Sequence, residues 1–141
     1  ILRSTLRDEV ELIVDLAPNV PSVSCQPGKL NQVFMNIITN AAQATSKTNL
    51  PREERQVRVR TRIVTEEGAE WVQVAVEDNG IGMTEEVKSQ IFDPFFTTKE
   101  VGEGTGLGLS IVKGILDDHK ATLEIQSSPG EGSLFLITFP T

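Results

Sequence analysis

Two segments of this chain carry apolar residues at helical spacing, and each is followed by two segments that alternate with a period of two. From Pro27-Gly28 onward, Leu30, Val33, Phe34, Ile37, Ile38 and Ala41 recur at intervals of three and four, which predicts an amphipathic helix to about Thr45. A second stripe, Leu109, Val112 and Leu116 with Ile111 and Ile115 beside it, predicts a helix from about Gly106 to near His119. Val57 to Val64 and Trp71 to Glu77 alternate around Glu66-Glu67-Gly68 and read as a hairpin. Thr122 to Ser127 and Ser133 to Phe139 flank the turn-rich run Ser128-Pro129-Gly130-Glu131-Gly132 and read as another. Val10 to Leu16 predicts one more strand, stopped by Ala17-Pro18-Asn19 and Pro21, with a short extended piece at Ser22 to Ser24. The residues up to Leu6 read as the tail of a helix, Ser46 to Arg55 as a loop, and Glu85 to Ser89 as a short helix. Helical and extended segments in this order suit a two-layer α/β sandwich, a mixed sheet of about five strands covered on one face by about three helices.

The chain's 141 residues are enough for one domain with a core of its own, and residues 1–141 are expected to form a single unit. Its lone cysteine, Cys25, has no internal disulfide partner, no apolar run is long enough to span a bilayer, and no signal peptide opens the sequence, so a reducing, cytoplasmic setting is expected. A net charge of −7 argues against a nucleic-acid surface. Arg58, Arg60 and Arg62 alternate with apolar residues and read as the wet face of a strand. One histidine and one cysteine exclude a zinc site built from those side chains, and His119 lies away from the motifs, which argues against a Ser-His-Asp hydrolase.

Four motifs carry chemistry. Asn36 and Asn40 stand four apart on the first helix, so both amide oxygens can face one hard cation together with phosphate and water. Alone, such a pair reads equally as a solvated helix face; beside the glycine runs the cation reading prevails. Asp78-Asn79-Gly80-Ile81-Gly82 follows a strand, and its first three residues alone would be a turn. The second glycine adds a surface without side chains, Gly80 and Gly82, against which a flat ring can lie while Asp78 accepts from an exocyclic amine. Adenine has that amine, so ATP should be preferred to GTP.

Gly104-Thr105-Gly106-Leu107-Gly108 opens the second long helix, where unpaired N–H groups and the positive end of the dipole favour phosphate. Its spacing matches neither the Rossmann nor the P-loop pattern. Between the glycine runs, Phe92-Asp93-Pro94-Phe95-Phe96-Thr97-Thr98-Lys99 reads as a lid with apolar anchors, whose Lys99 either reaches the terminal phosphates or forms an ordinary salt bridge.

Asn36-Ile37-Ile38-Thr39-Asn40-Ala41 resembles the N box, Asp78 to Gly82 the first glycine box, Ile91 to Phe96 the F box, and Gly104 to Leu109 the second glycine box of the catalytic, ATP-binding domain of sensor histidine kinases. The resemblance runs from about Val10 to Phe139 and implies the Bergerat fold shared with gyrase B, MutL and heat-shock chaperone ATPases. Phe95-Phe96-Thr97-Thr98-Lys99 resembles the F box of nitrogen-regulation and oxygen-sensing kinases. The resemblance implies ATP and Mg²⁺ as cofactors, with Asn36 and Asn40 at the metal and, with Lys99, in catalysis. It also implies nucleotide contacts from Asn40, Gln43, Asp78, Gly80, Gly82, Phe96, Gly104, Thr105, Gly106, Leu107 and Gly108. Thr138 resembles a strand residue that lines the adenine floor in relatives. In two places the chain departs from the pattern. Gln43 stands where many kinases carry Lys or Arg, and Asp118-His119-Lys120 replaces a more usual His-Gly-Gly.

Hydrolytic relatives carry a glutamate one turn before the second N-box asparagine, and this chain has Asn36 there. Without that general base, slow hydrolysis is expected, with ATP held for a stronger nucleophile. The resemblance implies a histidine on a separate dimerisation domain as that nucleophile, with a response regulator as the later partner and the isolated domain a monomer. The alternatives are a stand-alone ATPase of the gyrase and chaperone class and a catalytically silent nucleotide-binding module.

Overall fold

A computed structural model of the chain describes residues 2–6, 10–94 and 108–141. In order these form β1 (Leu2–Leu6), β2 (Val10–Asp15), α1 (Pro27–Ser46), a single 3-10 turn at Arg52–Glu54, β3 (Gln56–Glu66), β4 (Ala69–Asp78), α2 (Glu85–Gln90), α3 (Gly108–Asp118), β5 (Thr122–Ser127) and β6 (Ser133–Pro140). The six strands make one sheet in the order β1-β2-β3-β4-β6-β5. Parallel neighbours need a long crossover, and α1 supplies it between β2 and β3. The other neighbouring pairs run antiparallel.

Residue parity decides which sheet face is covered. Val57 and Val59 of β3, Val72, Val74 and Val76 of β4, and Phe135, Ile137 and Phe139 of β6 share one face. Most of them join a single buried cluster with Val33, Ile37 and Ala41 of α1 and Val112, Ile115 and Leu116 of α3. Phe34 meets Phe139 with ring centroids 6.3 Å apart at a tilt of 60°. Burial of side chains such as Ile37, Leu116 and Ile137 contributes about 1.5–3 kcal/mol each, so this layer contact dominates the stability of the fold. The other face is wet, as the alternating arginines predict. Arg62 donates to Gln73 at 2.6 Å, and Arg60 lies 3.8 Å from Glu77.

Hairpin chemistry is as expected. β3 and β4 turn at Glu67 (φ 52°) and Gly68 (φ 79°), two left-handed residues whose twist matches that of the strands. The C-terminus of α3 closes in a Schellman arrangement, with the Ala121 N–H on the Leu116 carbonyl at 2.9 Å and the Lys120 N–H on that of Asp117 at 3.1 Å.

Three local expectations are corrected. Residues 2–6 form an edge strand rather than a helix tail, which makes the sheet six strands wide. Their side chains are mostly exposed, so backbone pairing with β2, not an apolar stripe, holds them. Ser22 to Ser24 have no ladder partner and belong to an irregular stretch, and the loop after α1 contains the 3-10 turn. Among the described residues no helix is long and apolar enough to cross a membrane.

Candidate functional site

Asp78 is the last residue of β4 and has the parity of Val76 and Val74, so its carboxyl faces the helices. It is only 7% exposed. Its Oδ1 accepts the Gly80 N–H at 2.8 Å, and the backbone N–H of Ser133 also points at the carboxylate. Burial pushes the carboxyl up to about 6; the two N–H groups pull against that rise and neighbouring Glu77 adds to it. A buried carboxylate with remaining acceptor capacity, at a strand end beneath the helix layer, suits recognition of an N–H donor.

The chain leaves β4 through a passage that only glycine fits. A Cβ on Gly80 would lie 2.7 Å from the Ala44 carbonyl carbon of α1, and the next residue, Ile81, donates its N–H to the Ala44 oxygen at 3.2 Å. At Gly82 (φ 70°) a Cβ would run into the Ser128 carbonyl, and at Gly132 (φ 76°) into that of Asp78. Gly80 and Gly82 are expected at the base cleft. Among the described residues each is already required by close backbone packing, which draws the carboxylate up to the second half of α1.

Asn79 does more than make a turn. Its Oδ1 accepts the Gln56 N–H at 3.0 Å and its Nδ2 donates to the Glu54 carbonyl at 2.7 Å, which ties the exit of β4 to the entrance of β3.

On α1, Asn36, Asn40 and Gln43 share one face. Asn40 is one turn before Ala44, so this face runs up to Gly80 and Asp78. Asn36 donates from Nδ2 to the carbonyl of Gly108, the first described residue of α3, at 3.3 Å, which fixes the amide with its oxygen turned away from that bond. The Gln43 Oε1 is shielded from solvent and, among the described residues, has no hydrogen-bond partner. The geometry thus brings Asn36, Asn40, Gln43, Asp78, Gly80 and Gly108 into one neighbourhood. Phe96, Lys99, Gly104, Thr105, Gly106 and Leu107 lie outside the described residues. For a divalent cation and its water, the fitting groups are the amide oxygens on this face.

Thr138 is corrected. Its parity is that of Gln73, whose Nε2 donates to its Oγ1 at 3.2 Å, and it faces the open side of the sheet, away from Asp78. Ser133, five residues earlier and of opposite parity, is paired with Asp78 and buried. Its hydroxyl lies 2.8 Å from that of Ser127, whose own proton goes to the Gly132 carbonyl at 3.0 Å, so Ser133 donates. The parity of Phe135, Ile137 and Phe139 was the signal that could have found Ser133.

His119 is occupied on both nitrogens. Its Nδ1 donates to the Ile115 carbonyl at 2.8 Å, and its Nε2 accepts the Gln26 N–H at 3.0 Å. It clamps the end of α3 to the start of α1, a structural task. A cleft of about 430 Å³ opens among outward-facing residues such as Arg58, Glu77, Gln126 and Leu134. Asp78 contributes to its wall, but the Asp78 carboxyl points to the opposite side.

A carboxylate buried beneath an amide-bearing helix, in a mixed sheet covered on one face, makes this chain a two-layer α/β sandwich with a polar cluster between its layers. Residues 25–141 match the family described as histidine kinase-, DNA gyrase B- and HSP90-like ATPases, and the chain belongs to it. Membership implies an ATP site. Curated relatives are sensor kinases. Sporulation kinase E of Bacillus subtilis is 34% identical over 93% of this chain and 16% of its own length. The sensory histidine kinase/phosphatase NtrB of Klebsiella oxytoca is 35% identical over 93% of this chain and 38% of its own. The chain therefore spans well under half the length of these relatives. Among solved structures, the catalytic domain of histidine kinase ThkA superposes with a TM-score of 0.75 at 28% identity, covering 95% of this chain and 80% of that one. The mycobacterial sensor histidine kinase MprB, at 24% identity, shares the fold with a TM-score of 0.77 over 95% of this chain and 83% of its own.

Proposed function

We propose that this chain is the catalytic, ATP-binding half of a sensor histidine kinase. It holds Mg-ATP and presents the γ-phosphoryl group to a histidine on a separate dimerisation domain, from which a response regulator is served. Asp78 accepts from the adenine amine. Asn36 and Asn40 hold the metal and the phosphates, and Gly104, Gly106 and Gly108 offer backbone N–H groups to the phosphates. Phe96, Thr105 and Leu107 add contacts to the nucleotide, and Lys99 serves the terminal phosphates. A bound Mg²⁺ supplies charge neutralisation; the chain's own groups bind, orient and exclude water.

The observation that carries this reading is the amide at Asn36, on the face that runs up to Asp78 and bonded to the start of α3. An amide is no general base, so water at the γ-phosphate is left unactivated and the nucleotide persists until an imidazole nitrogen attacks phosphorus and ADP leaves.

The test has two parts. Calorimetry with Mg-ATP is expected to give one saturable site with a Kd of about 10–100 µM, or roughly −5.5 to −7 kcal/mol. Radiolabelled ATP is then supplied with a dimerisation domain from a relative such as NtrB. Label on the added histidine, with little phosphate release by this chain alone, is the expected result. Steady phosphate release without a partner would instead mean a stand-alone ATPase.

A further inference from the structure

Gln43 is the residue of the candidate site where the chain departs from the family pattern, an amide in place of the Lys or Arg of many kinases. Its side-chain oxygen is buried and, among the described residues, unsatisfied, a costly state when no partner arrives. Positions 36, 40 and 43 fall within about 60° of one another around the helix axis, so the orphaned oxygen belongs to the same face as Asn36 and Asn40. The Asn36 nitrogen gives one of its two N–H groups to Gly108, and the amide oxygen remains an acceptor that this face can offer. α1 is also almost uncharged: from Pro27 to Ser46 its only ionised side chain is Lys29. Lys29 lies about 21 Å from Gln43 along the axis.

Phosphate oxygens only accept. An amide oxygen turned towards them would be repelled, whereas a hydrated divalent cation presents acidic water protons and positive charge to an acceptor. We propose that the amide oxygen of Gln43 extends the acceptor face of Asn36 and Asn40 and takes a water of the divalent cation that accompanies ATP. On this helix the metal then does the work that a lysine or arginine at position 43 would do. This rests on the nucleotide site proposed above and adds a property to it: affinity for nucleotide depends on the metal more steeply than it would with a basic residue at this position.

Calorimetry and thermal melts of the chain, with ATP plus Mg²⁺ and with ATP plus EDTA, test this on three variants. Gln43→Met keeps the volume and removes the acceptor. It is expected to weaken Mg-ATP binding by about three- to tenfold, the scale of one hydrogen bond, while leaving binding in EDTA unchanged and the melting temperature without nucleotide no lower. Gln43→Glu keeps an acceptor and removes any N–H. It is expected to hold Mg-ATP within about twofold of wild type and to weaken metal-free binding through repulsion. Gln43→Lys is expected to strengthen metal-free binding and narrow the gap between the two conditions. Gln43→Met binding Mg-ATP as well as wild type overturns the proposal, and so does Gln43→Glu losing Mg-ATP as badly as Gln43→Met, because Gln43 would then act as a donor to phosphate. Wild type failing to bind ATP at all would strike the nucleotide site itself, and the proposal with it.

Discussion

At the scale of single residues, the buried carboxyl of Asp78 sets function against stability. Its value in the folded chain, about 6, stands above the ordinary 3.8, so between those values the native state holds more protons than the unfolded chain. The contribution of Asp78 to stability is therefore fully present below about 4 and is lost as pH rises through about 6. A difference of that size corresponds to about 3 kcal/mol, an upper figure for what the charged form costs at neutral pH. Two outcomes follow from that sign. Asp78→Asn is expected to raise the melting temperature at pH 7 without nucleotide while losing adenine selectivity, measured as the ratio of ATP to GTP affinity. Wild-type affinity for Mg-ATP is expected to fall as pH drops below about 6, because a protonated Asp78 loses acceptor strength; a flat profile from pH 7 to 5 would remove Asp78 from the base site. Thr138 and Ser133 show the limit of reading by family pattern alone. Alternation already put Ser133 with the inward Phe135 and Ile137, and Thr138 with the outward residues. Thr138→Val is accordingly expected to leave ATP affinity within about twofold of wild type.

At the scale of elements, α1, β3, β4, β5 and β6 were legible because one face of each is apolar and the other polar, so periodicity and burial coincide. β1 was not legible, since an edge strand held by its ladder needs no apolar stripe. Gln43 was only half legible: its helix face follows from its spacing to Asn36 and Asn40, but an orphaned oxygen is a property of packing. The end of α3 carries a prediction of its own. Lys120 sits at φ 57°, the left-handed position that closes the Schellman arrangement, where a side chain crowds the backbone. Lys120→Gly is expected to stabilise the fold by up to about 1 kcal/mol, with His119 still clamping Gln26. A drop in the urea midpoint would mean that the Lys120 side chain makes a contribution larger than the strain. The exit of β4 predicts the opposite sign. Gly80→Ala puts a methyl against the Ala44 backbone, and is expected to cost about 1–3 kcal/mol and to lower ATP affinity by displacing Asp78 from α1.

At the scale of the whole molecule, the candidate site is where the two layers are joined. α1 contributes the amide face, β4 the carboxyl, the loop after it the glycine passage against both α1 and the β5–β6 turn, and α3 the carbonyl that holds Asn36. A ligand bridging these elements binds only the assembled sandwich, so its binding energy adds to folding stability. At a nucleotide concentration of about 100 times Kd the gain is about 2.7 kcal/mol, which for a chain of this length raises the melting temperature by about 5–10 °C. Mg-ATP is expected to produce that shift in wild type. Asp78→Asn should melt higher than wild type without nucleotide yet gain little from Mg-ATP, so the order of the two proteins narrows or reverses when nucleotide is added. Equal shifts in both would mean that the nucleotide is held without the strand end, by the helix face alone. A shift in neither would separate the two layers from any shared ligand, and the buried carboxyl would then be a cost that binding does not offset.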